Sequence, residues 1–552
     1  MMFIILINII LTSIASLLLG NLICYKWSSL KKIIYGYLLF FSINIFIGYL
    51  LAILKIPISG LVPSAILFAA CLSLFYYEHK RGNLSQLFSW ERTDFAIIII
   101  TVVSIAAFLI PTYKMGGGIK SLSFPLGEDM VTHFSLANAI GDNNGYLYGS
   151  KNYKERIATG LENYPQAVHY NFSFLANGTS TFENRNLLKM YEYYFLFNFI
   201  LLLIVLCQSV FELALSANKS ILLRLVAAFL MFLIMNNTVF VNTYKYGFIS
   251  SAVCLAILVA LVNMLVNKKL FRHDWLWLGV IILLNGAVAG SWYFMSPLAL
   301  ALSTYFIYKH TKLRYWISYI LIFLIAVPPI YFSLNSGAAA GVNNAGAIER
   351  IPLHYILLLL GGALLAVYNY GQLNKALLRG YVVALIFALS FSAAILIFQQ
   401  ATTGGISYYF IKSGDIIIIL LAILSVSGIL AIIEKAKLRF GTFAEGNYYI
   451  FIALIVLFFG LLFSISGNLK NVSYGLLNER IYYFPSQIDN VIVSSRENRE
   501  RNMTLNTGGY IFNGDSSIYQ EDYTLSKLSS AYNLNLSVEY RQRLLNIFNK
   551  KP

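Results

Sequence analysis

Residues Ile416–Ile433 read IIIILLAILSVSGILAII, eighteen consecutive positions without a charged side chain. An α-helix that crosses the hydrocarbon core of a bilayer takes about 20 such residues. The whole chain has a similar character: 58% of its 552 residues are hydrophobic and 12% are charged, whereas soluble domains average about 25% charged residues. The sequence therefore predicts an all-α polytopic membrane protein.

About fourteen segments are apolar and long enough to span a membrane. Their approximate centres are Ile10, Ile45, Leu67, Val103, Ile200, Phe229, Ala256, Ile282, Leu300, Phe323, Leu359, Phe387, Ile419 and Val456. No basic region precedes the first apolar run, so we interpret it as a transmembrane helix and not as a cleaved signal peptide. We divide the chain into N-terminal transmembrane helices (1–111), a long loop (112–190), further transmembrane helices (191–467) and a polar C-terminal lobe (468–552).

Lysine and arginine are concentrated in alternate loops, from the first cluster at Lys26, Lys31 and Lys32 to the last at Lys435, Lys437 and Arg439. The positive-inside rule places these loops in the cytoplasm. The N-terminus, the 112–190 loop and the C-terminal lobe are then extracytoplasmic, in a bacterial cytoplasmic membrane. The net charge of +16 is explained by topology, and no nucleic-acid partner is expected. Because nucleotides are absent outside, an enzyme there needs a donor already carried across the membrane.

The four cysteines, Cys24, Cys71, Cys207 and Cys254, lie in or beside apolar segments and show no CxxC spacing. We expect them to be small buried hydrophobic residues, not disulfides or metal ligands.

The long loop carries the run Gly127-Glu128-Asp129-Met130-Val131-Thr132-His133. Acidic residues are scarce, with 24 Asp and Glu in the whole chain, and two are adjacent here. A carboxylate at the membrane boundary suits a base that acts on a lipid-held substrate. We predict that Asp129 takes a proton from an acceptor hydroxyl, with Glu128 or His133 assisting it or holding substrate. The alternative is that Asp129 caps the following helix.

The rest of this loop contains a helical spacing of apolar residues, Phe134, Leu136, Ala137 and Ile140, which we expect to lie along the membrane surface. His169 follows Tyr164-Pro165 and is a further candidate for substrate binding, with a histidine bonded to backbone as the alternative. Glu128, Asp129, His133 and His169 are all metal-ligand types, but their spacing matches no standard zinc pattern. No cofactor is therefore assigned, and a divalent metal is left open.

A second external loop contains Tyr408, Tyr409 and Lys412, the last being its only cation. Lysine is a good point-charge partner for phosphate, and the tyrosines suit stacking on a sugar. The alternative is a snorkelling lysine beside interfacial tyrosines. Arg350 and Lys245 are weaker candidates for the same phosphate contact.

An early external carboxylate, a Tyr-Pro…His element in the same loop and a late Tyr-Tyr-x-x-Lys together resemble the GT-C superfamily of integral membrane glycosyltransferases. The resemblance covers the general layout of the apolar region. It implies a polyprenyl-phosphate-linked sugar as donor, a glycan or lipid of the cell envelope as acceptor, Asp129 as base and Lys412 beside the lipid phosphate.

Two other functions are weighed against this one. An oligosaccharide polymerase or ligase of the O-antigen or capsule type also uses polyprenyl-linked substrates, but relies on a long loop nearer the C-terminus. A transporter or lipid flippase predicts charges within spans and internal repeats, and the sequence gives few signs of either.

The C-terminal lobe has alternating apolar residues in 490–493, 509–512 and 534–538, and an Asn513-Gly514 turn signal. We predict a small α+β lobe outside the membrane.

Overall fold

In the computed structural model, the structure describes residues 2–112, 128–147, 164–178, 186–214, 220–236, 238–239, 243, 248–271, 273–312, 315–333, 351, 353–403 and 408–439. The predicted C-terminal lobe and the predicted span centred at Val456 lie outside these residues. The helices are α1 Met2–Ile23, α2 Ser29–Ile53, α3 Val62–Lys80, α4 Arg92–Thr112, α5 Glu128–Asn143, α6 Ala167–Leu175, α7 Asn186–Leu213, α8 Ile221–Asn236, α9 Ile249–Val266, α10 Asp274–Trp292, α11 Ser296–Thr311, α12 Trp316–Ser333, α13 Leu353–Tyr368, α14 Lys375–Thr403 and α15 Tyr408–Arg439.

The described residues form a helical bundle in which the one β feature is an isolated bridge between Ala214 and Leu373. Within this part of the chain, seven helical segments are long and apolar enough to cross a membrane. Every predicted span centre other than Val456 lies inside one of the helices. The all-α membrane character is therefore confirmed.

Large apolar side chains cover the outer surfaces of several helices. On α14, the exposed residues include Ile386, Leu389, Ile397 and Phe398. In water, apolar patches of this kind mark interaction or aggregation surfaces, whereas in a bilayer they face lipid. The buried core lies instead along α7, α9 and α15, where most side chains are inaccessible.

Helices α10 and α11 contain the predicted span centres Ile282 and Leu300. They run as an antiparallel hairpin, because the ring of Trp277 near the start of α10 lies 5.7 Å from that of His310 near the end of α11. Midway along, Asn285 Nδ2 donates to Ser303 Oγ at 2.8 Å. The hairpin turns through a short 3₁₀ segment, Tyr293–Met295.

The ends of the helices form two polar regions at opposite ends of the bundle. At one end, which we call the basic end, Lys31 at the start of α2 forms an ion pair with Glu212 at the end of α7, at 2.7 Å. Lys435 near the end of α15 is 3.5 Å from Asn369 Oδ1, just after α13. Asn374 N donates to Leu213 O at 2.8 Å, so the two pairs lie at the same end of the bundle.

The other end, which we call the histidine end, holds the loop helices α5 and α6 and the starts of α9 and α15. Residues from the α2–α3 connection also join it, since Ile58 N donates to Asn144 O at 3.0 Å. The four cysteines are free and buried, which confirms their prediction as small hydrophobic residues.

Candidate functional site

Helix α6 is a nine-residue helix that lies inside the bundle and is too short to span a membrane. All its residues from Ala167 to Phe174 are buried, including the polar His169, Asn171 and Ser173. A short polar helix remains in such a place only when its polar groups find partners, because an unpaired buried group costs about 1–3 kcal/mol.

Hydrogen bonds to three other helices hold α6 in position. Asn171 accepts from Asn44 Nδ2 of α2 at 2.8 Å and donates to the Tyr194 hydroxyl of α7 at 3.1 Å. That hydroxyl in turn donates to Val168 O at 3.1 Å. Ser173 Oγ donates to Ala137 O of α5 at 2.7 Å. The loop helices are thereby fixed to the membrane helices, which gives the site a rigid frame.

Aromatic stacking of Tyr170 also holds α6 in place. The rings of Tyr49, Tyr146 and Tyr170 form a column with centroid separations of 4.7 and 4.4 Å. The column packs against Gly48 of α2, where an added Cβ would lie 2.6 Å from the Tyr170 ring and 2.7 Å from that of Tyr146. Only a glycine leaves room for this contact without displacement of the rings.

His133 of α5 and His169 of α6 meet in this frame. Nδ1 of His133 lies 3.1 Å from Nε2 of His169, so that one nitrogen donates a hydrogen bond to the other. The second nitrogen of His169 lies 3.3 Å from the Tyr191 hydroxyl. Nε2 of His133 is buried and has no hydrogen-bond partner among the described residues. The chain Tyr191–His169–His133 therefore ends on an open polar atom.

Burial keeps both imidazoles neutral. Loss of solvation, followed by the positive charge of Lys412, lowers the pKa of His133 to about 3. Loss of solvation, followed by the neighbouring His133, lowers the pKa of His169 well below its ordinary value. Both rings are therefore neutral near pH 7 and share one hydrogen bond. They carry no charge with which to bind an anion.

Lys412 brings the late loop of the sequence to the same place. It lies in the first turns of α15, buried, with its ammonium 3.2 Å from the centroid of the Phe248 ring and 5.5 Å from that of Trp292. Its charge is close enough to act on His133. Residues 133 and 412, distant in sequence and both predicted as site residues, are thus within electrostatic range of each other.

Asp415 was not singled out from the sequence, where it reads as one polar residue at the start of an apolar run. It is 1% exposed, and its Oδ1 has no hydrogen-bond partner among the described residues. Its position is one turn beyond Lys412 on the same face of α15. The sequence offers one sign of this role, a carboxylate directly before a long run of isoleucines. The same pattern also fits an interfacial carboxylate, and only the packing distinguishes the two.

The other predicted site residues stand as follows. Within the described residues α5 begins at Glu128, so Asp129 lies on this helix one turn before His133. The side chains of Glu128, Asp129 and Tyr408 lie outside the described residues, as do Arg350 and Lys245. The ring of Tyr409 packs 5.0 Å from that of Phe294.

The surface position expected for 134–140 differs from what the structure has. Phe134, Leu136, Ala137 and Ile140 are all buried in the protein, with at most 2% of each exposed. The apolar face of α5 packs on α6 and α7 instead of on lipid, because the polar bonds of α6 draw both loop helices into the bundle.

The described residues contain no group of three or more histidine, cysteine, aspartate or glutamate side chains arranged to hold a metal ion. His133 and His169 supply two nitrogen ligands, but the charge of Lys412 close to His133 opposes a cation there. The described part of the site is therefore poorly suited to a metal ion.

Comparison with known protein families, with curated proteins and with solved structures finds no match to this chain.

Proposed function

We propose that this protein is a membrane glycosyltransferase that moves a sugar from a polyprenyl-phosphate donor to a glycan or lipid of the cell envelope. In this proposal it has fourteen spans with the GT-C-like layout, lies in a bacterial cytoplasmic membrane, and carries its C-terminal α+β lobe outside. The histidine end faces outward and holds the reaction.

One observation supports the proposal above others: the charge of a late residue acts on a residue of the early loop. His133 comes from the loop that contains Asp129, and Lys412, whose charge acts on it, comes from a segment almost 280 positions further along the chain. A transferase needs groups for an acceptor hydroxyl and for a lipid phosphate within one site. The electrostatic effect of Lys412 on His133 supports such a shared site.

The proposed reaction forms one bond and breaks one bond at the anomeric carbon. The acceptor oxygen attacks that carbon as its proton passes to Asp129. The bond from the anomeric carbon to the phosphate oxygen breaks, and polyprenyl phosphate leaves with the electron pair. Lys412 stabilises the negative charge of the leaving phosphate. The neutral pair His133 and His169 orients a substrate hydroxyl.

The decisive experiment measures sugar transfer by purified protein in lipid nanodiscs. Wild type and Asp129→Asn are supplied with a panel of polyprenyl-phosphate sugars and envelope glycan acceptors. Loss of a general base costs about 10²- to 10⁴-fold in rate. Asp274→Asn, which alters a carboxylate paired with Lys268 at the basic end, is the matched control and retains full activity. Full activity of Asp129→Asn assigns the base elsewhere, and no transfer by wild type rejects the proposal.

A transporter or flippase is the second candidate, and the burial of Lys412 and Asp415 favours it. Both lie inside the candidate span Tyr409–Lys435, and ionisable residues within spans frequently mark a path for ions or substrates. Translocation of a fluorescent polyprenyl phosphate across liposomes containing the protein, without sugar transfer, would favour this candidate. The polymerase or ligase alternative predicts instead that whole oligosaccharides are transferred in the same assay.

A further inference from the structure

Asp415 is a buried carboxylate that the proposed reaction does not use. It is 1% exposed, its Oδ1 has no hydrogen-bond partner among the described residues, and only the charge of Lys412 acts on it. A buried acceptor without a partner is unfavourable, and a ligand that donates a hydrogen bond to it removes that cost. Asp415 therefore marks a place for a ligand that donates hydrogen bonds.

A second buried atom without a partner among the described residues lies within electrostatic reach of Lys412. Nε2 of His133 is also buried without a partner, and Lys412 acts electrostatically on both His133 and Asp415. The ammonium of Lys412 lies against the rings of Phe248 and Trp292. The subsite consists of an anion, a cation and a neutral imidazole beside an aromatic wall.

These charges restrict the kind of ligand. A free cation is opposed by Lys412, and a phosphate placed directly against Asp415 is opposed by its carboxylate. A neutral, hydroxylated ring suits Asp415, because its hydroxyls donate to the carboxylate, while a phosphate attached to that ring accepts from the ammonium of Lys412. An aromatic wall beside a few convergent polar groups is the usual make-up of a site for such a small ligand.

We propose that Asp415, Lys412 and His133 form a saccharide subsite in which Asp415 accepts hydrogen bonds from hydroxyls of the donor's sugar ring, against Trp292. The inference rests on the proposed transferase function. Asp415 is three residues beyond Lys412 on α15, a rise of about 4.5 Å. That spacing lets Lys412 contact the phosphate while Asp415 contacts the sugar attached to it.

The test is a binding comparison in nanodiscs between bare polyprenyl phosphate and polyprenyl phosphates that carry glucose, galactose, mannose or N-acetylglucosamine. Wild type is expected to bind at least one sugar-bearing lipid about ten- to a hundredfold more tightly than the bare lipid, as one or two hydrogen bonds to a charged group allow. Asp415→Asn removes most of that gain and changes bare-lipid binding less than about twofold. Lys412→Gln weakens both.

A stability measurement distinguishes a ligand-binding carboxylate from a structural one. Asp94 is the matched control, a buried carboxylate at the basic end that accepts from Ser28 Oγ at 2.7 Å and from Glu91 N at 2.8 Å. Asp94→Asn is expected to lower the melting temperature, whereas Asp415→Asn leaves it unchanged or raises it, because Oδ1 of Asp415 has no hydrogen bond to lose among the described residues. Asp415→Leu provides a second variant without polar atoms, and is expected to lose the same sugar-dependent gain.

The two proposals fail in different ways. Equal binding of the bare and all the sugar-bearing lipids, or an equal loss for both classes in Asp415→Asn, overturns the saccharide subsite even if transfer is observed. A sugar-dependent gain that disappears in Asp415→Asn, without transfer to any acceptor, keeps the subsite and overturns the transferase reaction. A fall in melting temperature in Asp415→Asn as large as that in Asp94→Asn assigns Asp415 a structural role.

Discussion

The two polar ends of this bundle bury charged groups in opposite ways. At the basic end three largely buried carboxylates have partners: Glu212 pairs with Lys31, Glu78 accepts from Asn21 through one of its two oxygens, and Asp94 accepts from Ser28. At the histidine end Oδ1 of Asp415 and Nε2 of His133 are buried without a hydrogen-bond partner among the described residues. Burial is similar at both ends, so exposure does not explain the difference.

The comparison separates polar groups that stabilise the fold from those available to a ligand. A buried charge with good partners keeps its helices in register, and removal of one partner is costly. A buried polar atom without a partner contributes nothing to the empty protein, so its retention points to binding. Four measurements test this difference between the ends, in order of expected effect.

The largest effect is a loss of stability on acidification that originates at the histidine end. An unfolded histidine has a pKa of about 6.5, above the lowered values of His133 and His169, so only the unfolded chain gains their protons as the pH falls below that value. Stability is expected to fall by about 1.4 kcal/mol per pH unit for each histidine. For His133 this window extends from about 6.5 down to its folded-state pKa of about 3.

Thermal unfolding between pH 7 and pH 4.5 measures this slope. His133→Gln is expected to reduce it, and His79→Gln, an exposed histidine at the basic end, to leave it unchanged. A slope that is the same in wild type and in His133→Gln contradicts the burial of a neutral histidine pair.

The next effect is steric and concerns the packing of α6 against Gly48 of α2. Gly48→Ala places a Cβ within 2.7 Å of the stacked rings of Tyr170 and Tyr146. Overpacking of this kind costs about 1–3 kcal/mol, and it also displaces His169 through α6. Gly361→Ala is the control, because a Cβ at Gly361 meets nothing within 4 Å. Equal melting temperatures for the two variants would mean that the stacked tyrosine rings move aside at little cost in stability.

A smaller effect is expected in the paired network towards the basic end. Asn263 donates to the hydroxyl oxygens of Tyr35 and Ser209, both at 2.9 Å, and accepts from the Tyr381 hydroxyl at 2.6 Å. Asn263→Ala leaves those groups unpaired and should lower stability by about 1–2 kcal/mol, with little change in ligand binding. Chemical unfolding in detergent measures it, against Tyr308→Phe at an exposed position. If Asn263→Ala lost ligand binding without losing stability, the paired network would serve the ligand and not the fold, which contradicts the roles assigned to the two ends.

The smallest effect is the coupling between Lys31 and Glu212, whose side chains are 13% and 15% exposed. A double-mutant cycle of Lys31→Ala and Glu212→Ala is expected to give about 0.5–1 kcal/mol, reduced by added salt. A coupling energy near zero would show that the ion pair adds nothing beyond the packing of α2 on α7.

Prediction from the sequence worked best where one physical cause dominates. Long uncharged runs have no other stable location than a bilayer or a protein core, so the positions of the helices followed from hydropathy alone, including the pair around Ile282 and Leu300. It worked less well for α5, where the apolar spacing was correct but its burial in the protein was not expected. Spacing gives the apolar face of a helix, and does not distinguish lipid from protein as the surface that covers it.

The residues of the candidate site were likewise predicted only in part. His133, His169 and Lys412 were singled out because charged and polar residues are rare in this chain, but nothing in their spacing showed that they meet. Asp415 was missed because its significance lies in the partners that it lacks, and partners are a property of the packed structure.

The sequence by itself determined the helical membrane character, the clustering of basic residues in alternate loops and the short list of polar residues near the ends of helices. Those features follow from transfer free energies and charge, which depend on local composition. Only the tertiary structure decided that α6 lies buried among the membrane helices, that His133 and His169 are in contact, that the charge of Lys412 acts on His133, and that Asp415 Oδ1 has no hydrogen-bond partner among the described residues. Contacts between residues far apart in the chain depend on how helices pack, and local composition does not specify that packing.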